Sequence, residues 1–409
     1  MSTVTLFEVL DAREARQKKQ DALLRKYGAT LVSFTMNIAG PEKRSGLIDL
    51  AFDKGKAALL AAVPGIFSET IHRNAGNEFY LVSPLPAEEV KRRCIRLEDT
   101  PVGRLYDMDV LTVQGEKLSR QNSRTCLVCG RPAAACARSR AHGLEAVQKK
   151  TQALLRQSAA QSLADLAVDA LVREVRVTPK PGLVDENNSG AHQDMDLPMF
   201  LASAEALRTY FAFSAETAMQ MPDCMPALQK AGLDAERTML ETTGGVNTHK
   251  GAIYSLGILT AAAGAFVAQG RPVFAQAAAY ASAGAPSTQT HGRSALARYG
   301  GRGAREEAEA GFPLAQKAAR LLRAGFSPQD VLLRLILECQ DTNLLHRGGA
   351  EALVYARQWA SRILSAEPAK REALLLEMDK ALTERNLSPG GCADLLAQGF
   401  FLASLPFLQ

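Results

Sequence analysis

Two parts of this sequence concentrate residues able to do chemistry. In the first, Gly103-Arg-Leu-Tyr-Asp107-Met-Asp109-Val reads as a strand carrying two carboxylates. Residues i and i+2 of a strand face the same side, so Asp107 and Asp109 project together. Like charges on one face repel, and a cation relieves that repulsion. Mg2+ suits the pair, because it prefers carboxylate oxygens together with substrate phosphates. With Arg104 beside them to meet phosphate charge, the pattern fits metal-assisted nucleotidyl transfer. It also fits a plain acidic edge strand in water. Downstream, Cys126 and Cys129 have zinc-knuckle spacing, with Cys136 and His142 available as further ligands. Only one CxxC occurs, so zinc is not favoured over reduced thiols packed at a strand-to-helix turn. Arg138 and Arg140 suit either a phosphate or an ordinary helix surface.

In the second part, polar residues gather in five connectors. They are Thr178-Pro-Lys180-Pro-Gly-Leu-Val-Asp185 running on to His192 and Asp194; Gly244-Gly-Val-Asn247-Thr248-His249-Lys250-Gly251; Thr290-His291-Gly292 with Arg302–Glu307; Asp341-Thr-Asn343 through Arg347 to Gly349; and Leu387–Asp394. Backbone N–H groups, Thr248 and Lys250 at a helix start form an anion cradle, although GxxxxGK[ST] is absent. Asp185, Asp194, Glu307, Asp341 and Asp394 suit a divalent metal, and Lys180, Lys250, Arg305 and Arg347 suit polyphosphate. Each connector taken alone could be caps and turns; five together point to one polar site. His192, His249 and His291 could suggest zinc, but without HxH or HExxH spacing oxygen-ligated Mg2+ is preferred.

The elements that must position these groups differ between the two parts. Residues 1–157 alternate helix and strand: helices over Leu6–Tyr27, Leu47–Val63, Glu88–Leu97 and Ala133–Gln157, and strands over Thr30–Ile38, Ile66–His72, Glu78–Ser83 and Leu105–Val113. That predicts an α/β or α+β domain with a mixed sheet. From Ser158 onward, Ala-rich helical stretches dominate: Ser162–Val175, Met199–Met219, Ala252–Ala268, Phe274–Ala283, Glu306–Ala324, Pro328–Leu337, Ala350–Leu364 and Arg371–Arg385. This predicts an all-α domain over 158–409, with the boundary inside a helix near residue 157.

Composition narrows the classes. The 409 residues include 48 Lys+Arg and 43 Asp+Glu, 47% are hydrophobic, and disorder throughout is excluded. No apolar run is read as approaching a membrane span, and the N-terminus has no signal-peptide core. Seven thinly spread cysteines suit a reducing cytoplasm. Residues 1–157 carry 25 Lys+Arg against 17 Asp+Glu, while the remainder carries 23 against 26. A basic first part favours an anionic partner or is a solvated surface.

Leu31-Val-Ser-Phe-Thr-Met36, Gly40-Pro41, Gly103–Val110, Cys126–Cys129 and Cys136-Ala-Arg-Ser-Arg140 resemble the apo-citrate lyase phosphoribosyl-dephospho-CoA transferases. Thr178–Asp185, Gly244–Gly251, Thr290–Gly292, Gly311-Phe-Pro313, Asp341–Asn343, Pro389–Gly391 and Ala393-Asp394 resemble the triphosphoribosyl-dephospho-CoA synthases. Two positions depart from the second pattern: Glu306 stands where glycine is expected, and Cys392 where serine is expected.

The resemblance implies a nucleotidyltransferase-like first domain and a bifunctional enzyme. Its second part would join the triphosphoribosyl group of ATP to the 2′-hydroxyl of 3′-dephospho-CoA, releasing adenine. Its first would transfer the product to a serine of the apo citrate lyase acyl carrier (gamma) subunit, releasing pyrophosphate. Under that reading Asp107 and Asp109 hold Mg2+ with Arg104 beside them. Asp185, Asp341 and Asp394 are metal ligands or base, and His249 and His291 are candidate acids. Lys180, Asn247, Thr248, Lys250, Arg305, Asn343, Arg347, Arg138 and Arg140 bind nucleotide phosphates. Two alternatives are a carrier of the malonate decarboxylase type and a zinc-knuckle nucleic-acid-binding protein. The second lacks interleaved aromatic and basic residues and a second CxxC, and no nucleic-acid partner is expected.

Overall fold

A computed structural model describes residues 3–120, 122–221, 223–284 and 303–408. The chain divides into two compact units, one of residues 1–159 with 267–270, the other of 160–266 with 271–409.

In the first unit, α1 (Leu6–Tyr27) starts at a capping box: Thr5 Oγ1 accepts from Glu8 N, and Glu8 Oε2 accepts from Thr5 N. It ends at Gly28, whose φ of 56° only glycine adopts freely. The sheet among the described residues runs β2 (Phe67–Ile71), β3 (Glu78–Ser83), β1 (Thr30–Met36), β4 (Tyr106–Leu111). Every pairing is antiparallel, so the expected mixed sheet is corrected. The long crossovers after β1 and β3 join strands that run parallel but are not neighbours, β1 with β2 and β3 with β4. Two further helices, α2 (Gly46–Ala62) and α3 (Ala87–Glu98), contact each other and β1, and α3 also contacts β4. Leu23, Leu24, Leu31, Tyr80, Val82 and Leu111 form one core cluster under α1.

The helix expected over Ala133–Gln157 is two. Short α4 (Ala133–Ser139) ends at Arg140 in the left-handed conformation, and α5 (Leu144–Val175) begins anew. The division between units falls inside α5.

Every regular element of the second unit is a helix among its described residues. Its helices are α6 (Leu197–Ala206), α7 (Arg208–Gln220), α8 (Met225–Thr242), α9 (Lys250–Gln269), α10 (Val273–Ala283), α11 (Ala304–Glu309), α12 (Pro313–Arg323), α13 (Pro328–Glu338), α14 (Thr342–Ser365), α15 (Pro368–Glu384) and α16 (Gly390–Ser404). The stretch Glu306–Ala324 breaks because buried Phe312 takes φ 63° and Pro313 cannot sit inside a helix. Two helices were not anticipated, α8 and α16. α16 buries residues on all sides, from Cys392 to Leu402, and packs on α12, α13 and α14. A helix apolar all round has no stripe for periodicity to find. α9 is long and apolar enough to cross a membrane, against the expectation that no run is, but 78% of that window is buried in the protein.

Candidate active sites

In the first unit, β4 alternates. Tyr106, Met108 and Val110 face the core, and half-buried Asp107 and Asp109 take the other face, opposite Thr35 and Ser33 of β1. Gly103, in the turn before β4, presses on the end of α3, where a Cβ would lie 1.9 Å from Leu97 O. Burial raises the Asp107 pKa above its ordinary value and the Asp109 charge adds to that, while Lys117 and Arg124 oppose it. Asp109 pairs with Lys117 at 2.6 Å.

Behind them, buried Glu98 accepts from Met108 N at 2.8 Å and pairs with Arg120 at 3.0 Å and Arg124 at 2.5 Å. A cleft of about 270 Å³ is lined by Lys91, Asp107, Asp109, Lys117, Arg120 and Arg124 among others. On its other side Asp107 lines a second pocket with Arg13, Arg16 and Lys43. Two adjacent carboxylates ringed by cations suit a metal-bound polyphosphate. Arg104 donates to Thr125 O, so it braces the following segment. Arg138 and Arg140 are exposed. Cys126, Cys129, Cys136 and His142 come together, their ligand atoms all within 4.8 Å of one another.

In the second unit the starts of α9, α14 and α16 converge. Glycines permit it. A Cβ on Gly251 would lie 2.0 Å from Asp394 Oδ2, on Gly390 2.5 Å from Asn343 Nδ2, and on Gly391 3.1 Å from Asp341 Oδ2. Asp341 caps α14 by accepting from Asn343 N and Leu344 N, and ties in α16 by accepting from Cys392 N at 2.9 Å. Asn247 Oδ1 accepts from Lys250 N at the start of α9. Three helix N-termini put positive dipole ends and spare N–H groups around one place.

Two carboxylates sit among them. Burial raises both the Asp341 and Asp394 pKa values, and Asp394 is pushed up to about 8, with Glu174 and Asp341 adding like charge. Buried Lys180 and Glu174 pair at 2.7 Å. His249 is buried and driven down to about 3, by desolvation and then by Lys180. It is therefore neutral at pH 7. Its Nδ1 lies 2.8 Å from Ser203 Oγ, which also meets Thr248 Oγ1 at 2.8 Å. Its Nε2 is buried without a hydrogen-bond partner among the described residues.

The matched families now bear on both units. The model of "CitX: apo-citrate lyase phosphoribosyl-dephospho-CoA transferase" matches residues 4–158, and that of "CitG: ATP:dephospho-CoA triphosphoribosyl transferase" matches residues 160–408. Protein CitXG of Haemophilus influenzae is 34% identical over an alignment covering 98% of this chain and 97% of that protein. The chain belongs to the CitX–CitG fusion family. Two further relatives cover the second unit. A probable 2-(5''-triphosphoribosyl)-3'-dephosphocoenzyme-A synthase of Pseudomonas savastanoi is 41% identical over 61% of this chain and 92% of its own length. The synthase of that name from Klebsiella pneumoniae is 39% identical over 58% and 88%. The chain is thus a bifunctional transferase.

Within the CitG unit, the structure brings Lys180, Asn247, Thr248, His249, Asp341, Asn343 and Asp394 to the converging helix starts or the buried network beside them. It does not leave Asp185 free. Asp185 Oδ2 accepts from Thr178 Oγ1 and Lys180 N, and Oδ1 from Asn187 N and Asn188 N. Both oxygens accept hydrogen bonds within the loop, so here Asp185 shapes the loop around Lys180. Arg347 is likewise engaged, donating to Ala191 O and to Asn386 O and Oδ1, and meeting His192 Nδ1 at 3.3 Å. Lys250 is exposed and pairs with Glu236 at 2.8 Å, and Arg305 pairs with Glu309 at 2.7 Å. Asp194 lies exposed, 4.0 Å from His192. His291 lies outside the described residues.

Some participants escaped sequence reasoning. Glu174 and Ser203 lie within helices with no motif around them. In the CitX unit, Lys91, Lys117 and Glu98 look like ordinary surface charges until the fold buries or pairs them. The two departures have local roles here. Glu306 Oε2 accepts from Gly303 N in the cap of α11, and Cys392 is fully buried.

Proposed function

We propose that the CitG unit joins ATP to 3′-dephospho-CoA and that the CitX unit then loads the product onto an apo citrate lyase acyl carrier. The convergence of three helix N-termini on Asp341 and Asp394 supports this most, because a triphosphate needs both donors and a cation. In the first step the C1–N9 bond of ATP breaks and a bond forms from C1 to the 2′-oxygen of dephospho-CoA. Adenine leaves as a neutral base, taking up a proton, while the attacking hydroxyl loses one. In the second step a carrier serine hydroxyl attacks the α-phosphorus and pyrophosphate leaves.

Asp341 and Asp394 supply hard oxygen ligands suited to Mg2+, as do Asp107 and Asp109. When bound, the ion neutralises phosphate charge. Asn247, Thr248 and the first N–H groups of α9 hold the triphosphate. Ser203 Oγ holds Nδ1 of neutral His249, which leaves Nε2 for a hydrogen bond to substrate. The buried Lys180–Glu174 pair fixes the wall between His249 and Asp394. In the CitX unit, Lys91, Lys117 and Arg124 surround the carboxylate pair and offset the charge of the departing pyrophosphate. The thinly spread cysteines and these substrates support a cytoplasmic setting.

The test is product analysis. With ATP and Mg2+, free adenine should appear only when 3′-dephospho-CoA is present, together with an adduct of the expected mass. Adding an apo carrier should then release pyrophosphate and add the adduct's mass, less pyrophosphate, to the carrier. Conversion of ATP to ADP instead would refute the first step. An unmodified carrier in the presence of authentic adduct would refute the second.

A further inference from the structure

We propose that Cys126, Cys129, Cys136 and His142 form a structural zinc site in the first unit. Cys129 Sγ lies 3.5 Å from Cys136 Sγ and 3.2 Å from His142 Nε2, and the four ligand atoms all lie within 4.8 Å of one another. Tetrahedral zinc with Zn–S bonds of about 2.3 Å separates its sulfurs by about 3.8 Å. A disulfide would need about 2.05 Å. The cluster has the spacing of shared coordination.

The backbone is shaped for it. Cys126 N donates to Arg131 O at 2.5 Å and Gly130 N to Cys126 O at 3.1 Å, closing a tight turn with Gly130 at φ 74°. Inside the turn, Val128 N donates to Cys126 Sγ at 3.4 Å. Such N–H···S bonds steady a sulfur that carries negative charge. Helix α4 then presents Cys136, and Ala141 N donates back to Cys136 O at 3.1 Å, bringing His142 round. The other four cysteines, Cys94, Cys224, Cys339 and Cys392, are all buried and stand apart from this group.

Burial cannot account for the segment's shape. Cys136 is the one buried residue of α4, and most of residues 125–143 are exposed. A seven-residue helix with a single buried side chain is marginal in water. A metal cross-link supplies the missing constraint.

The segment also reaches the carboxylate cleft. Arg104 donates to Thr125 O. Arg124, which receives Ala133 N on its carbonyl, donates to Tyr106 O at 2.7 Å and pairs with Glu98. The metal knot therefore holds the arginine side of the cleft. That consequence for transfer rests on the function proposed above; the metal site itself does not.

The decisive experiment is the metal content of the full chain, purified under reducing conditions and reconstituted with ZnCl2. One tightly held zinc per chain is expected. Replacing it with Co2+ should give the visible absorption of a tetrahedral thiolate site. His142→Ala should weaken zinc binding by at least about tenfold. His142→Cys should restore it and shift the Co2+ spectrum towards four sulfurs, a change that misfolding would not produce. Zinc below a tenth of an equivalent in folded wild-type chain would overturn the proposal. So would a Cys129–Cys136 disulfide recovered without metal, or a Co2+ spectrum unchanged by His142→Cys.

Discussion

The two carboxylate pairs of this chain solve the same electrostatic problem differently. Asp107 and Asp109 lie half-buried on an edge strand, and side-chain cations surround them: Lys117 at 2.6 Å from Asp109, with Arg124 opposing the rise in the Asp107 pKa. Asp341 and Asp394 lie among helix starts, where backbone N–H groups and helix dipoles do most of the work and the nearby lysine is already paired with Glu174. A pair on an edge strand can borrow flexible cations from the surface at small cost. A pair walled in by helix starts cannot, so Asp394 holds its proton until a cation arrives. The difference teaches where pH should matter: little at the edge strand, strongly at the helix starts.

Removing one carboxylate from each site gives the largest effect. Asp107→Ala should lower transfer to the carrier by roughly 10³-fold, leaving adenine release unchanged, when the half-reactions are assayed separately. Asp394→Asn should do the reverse. If either variant impaired both half-reactions equally, the division of labour would be wrong.

Asp394→Asn also sharpens the contrast in stability. The carboxyl is raised from 3.8 to about 8 in the fold, so the folded chain holds a proton that the unfolded chain releases. Wild-type stability should therefore fall as pH rises from about 4 to 8. The asparagine variant lacks that loss and should melt higher at pH 8.5, by roughly 3 °C, with no gain at pH 4. Asp107→Asn should show a smaller pH-dependent gain. His249 carries the opposite sign. Depressed to about 3, it contributes stability above pH 6.5 that is lost as pH falls towards 3.

Asp185→Ala separates a loop-shaping role from metal binding. Four lost hydrogen bonds should destabilise the second unit by about 2–4 kcal/mol in denaturant unfolding. The Mg2+ dependence of adenine release in the surviving folded enzyme should not change. A changed dependence would return Asp185 to the metal.

The smallest effect belongs to Glu306→Gly, which restores the family pattern and removes the bond to Gly303 N. A loss of about 1 kcal/mol is expected. A gain would show that the departure answers to something other than the cap.

Motifs with fixed spacing were legible because their chemistry needs particular residue types at particular places. Asp107-Met-Asp109 on a strand, Asn247–Gly251 at a helix start and Asp341–Asn343 at another were readable in that way. The strands and most helices followed from alternation and periodicity. The α16 helix did not, because a fully buried helix has no polar face, and its first turn looked like a loop of Pro, Gly and Asp.

What sequence alone determined, then, was the inventory: a mixed first part, a helical second part, one carboxylate pair, a scatter of acidic residues in connectors and a cysteine cluster. Tertiary structure decided which members come together. Asp185 and Asp341 are the same residue type in similar motifs. Asp185 accepts hydrogen bonds only from its own loop, whereas Asp341 accepts from two helix starts beside Asp394. Glu174 and Ser203 became part of a site only by being brought to it. Burial, hydrogen-bond saturation and like-charge proximity arise between residues distant in the chain, so local sequence carries no record of them.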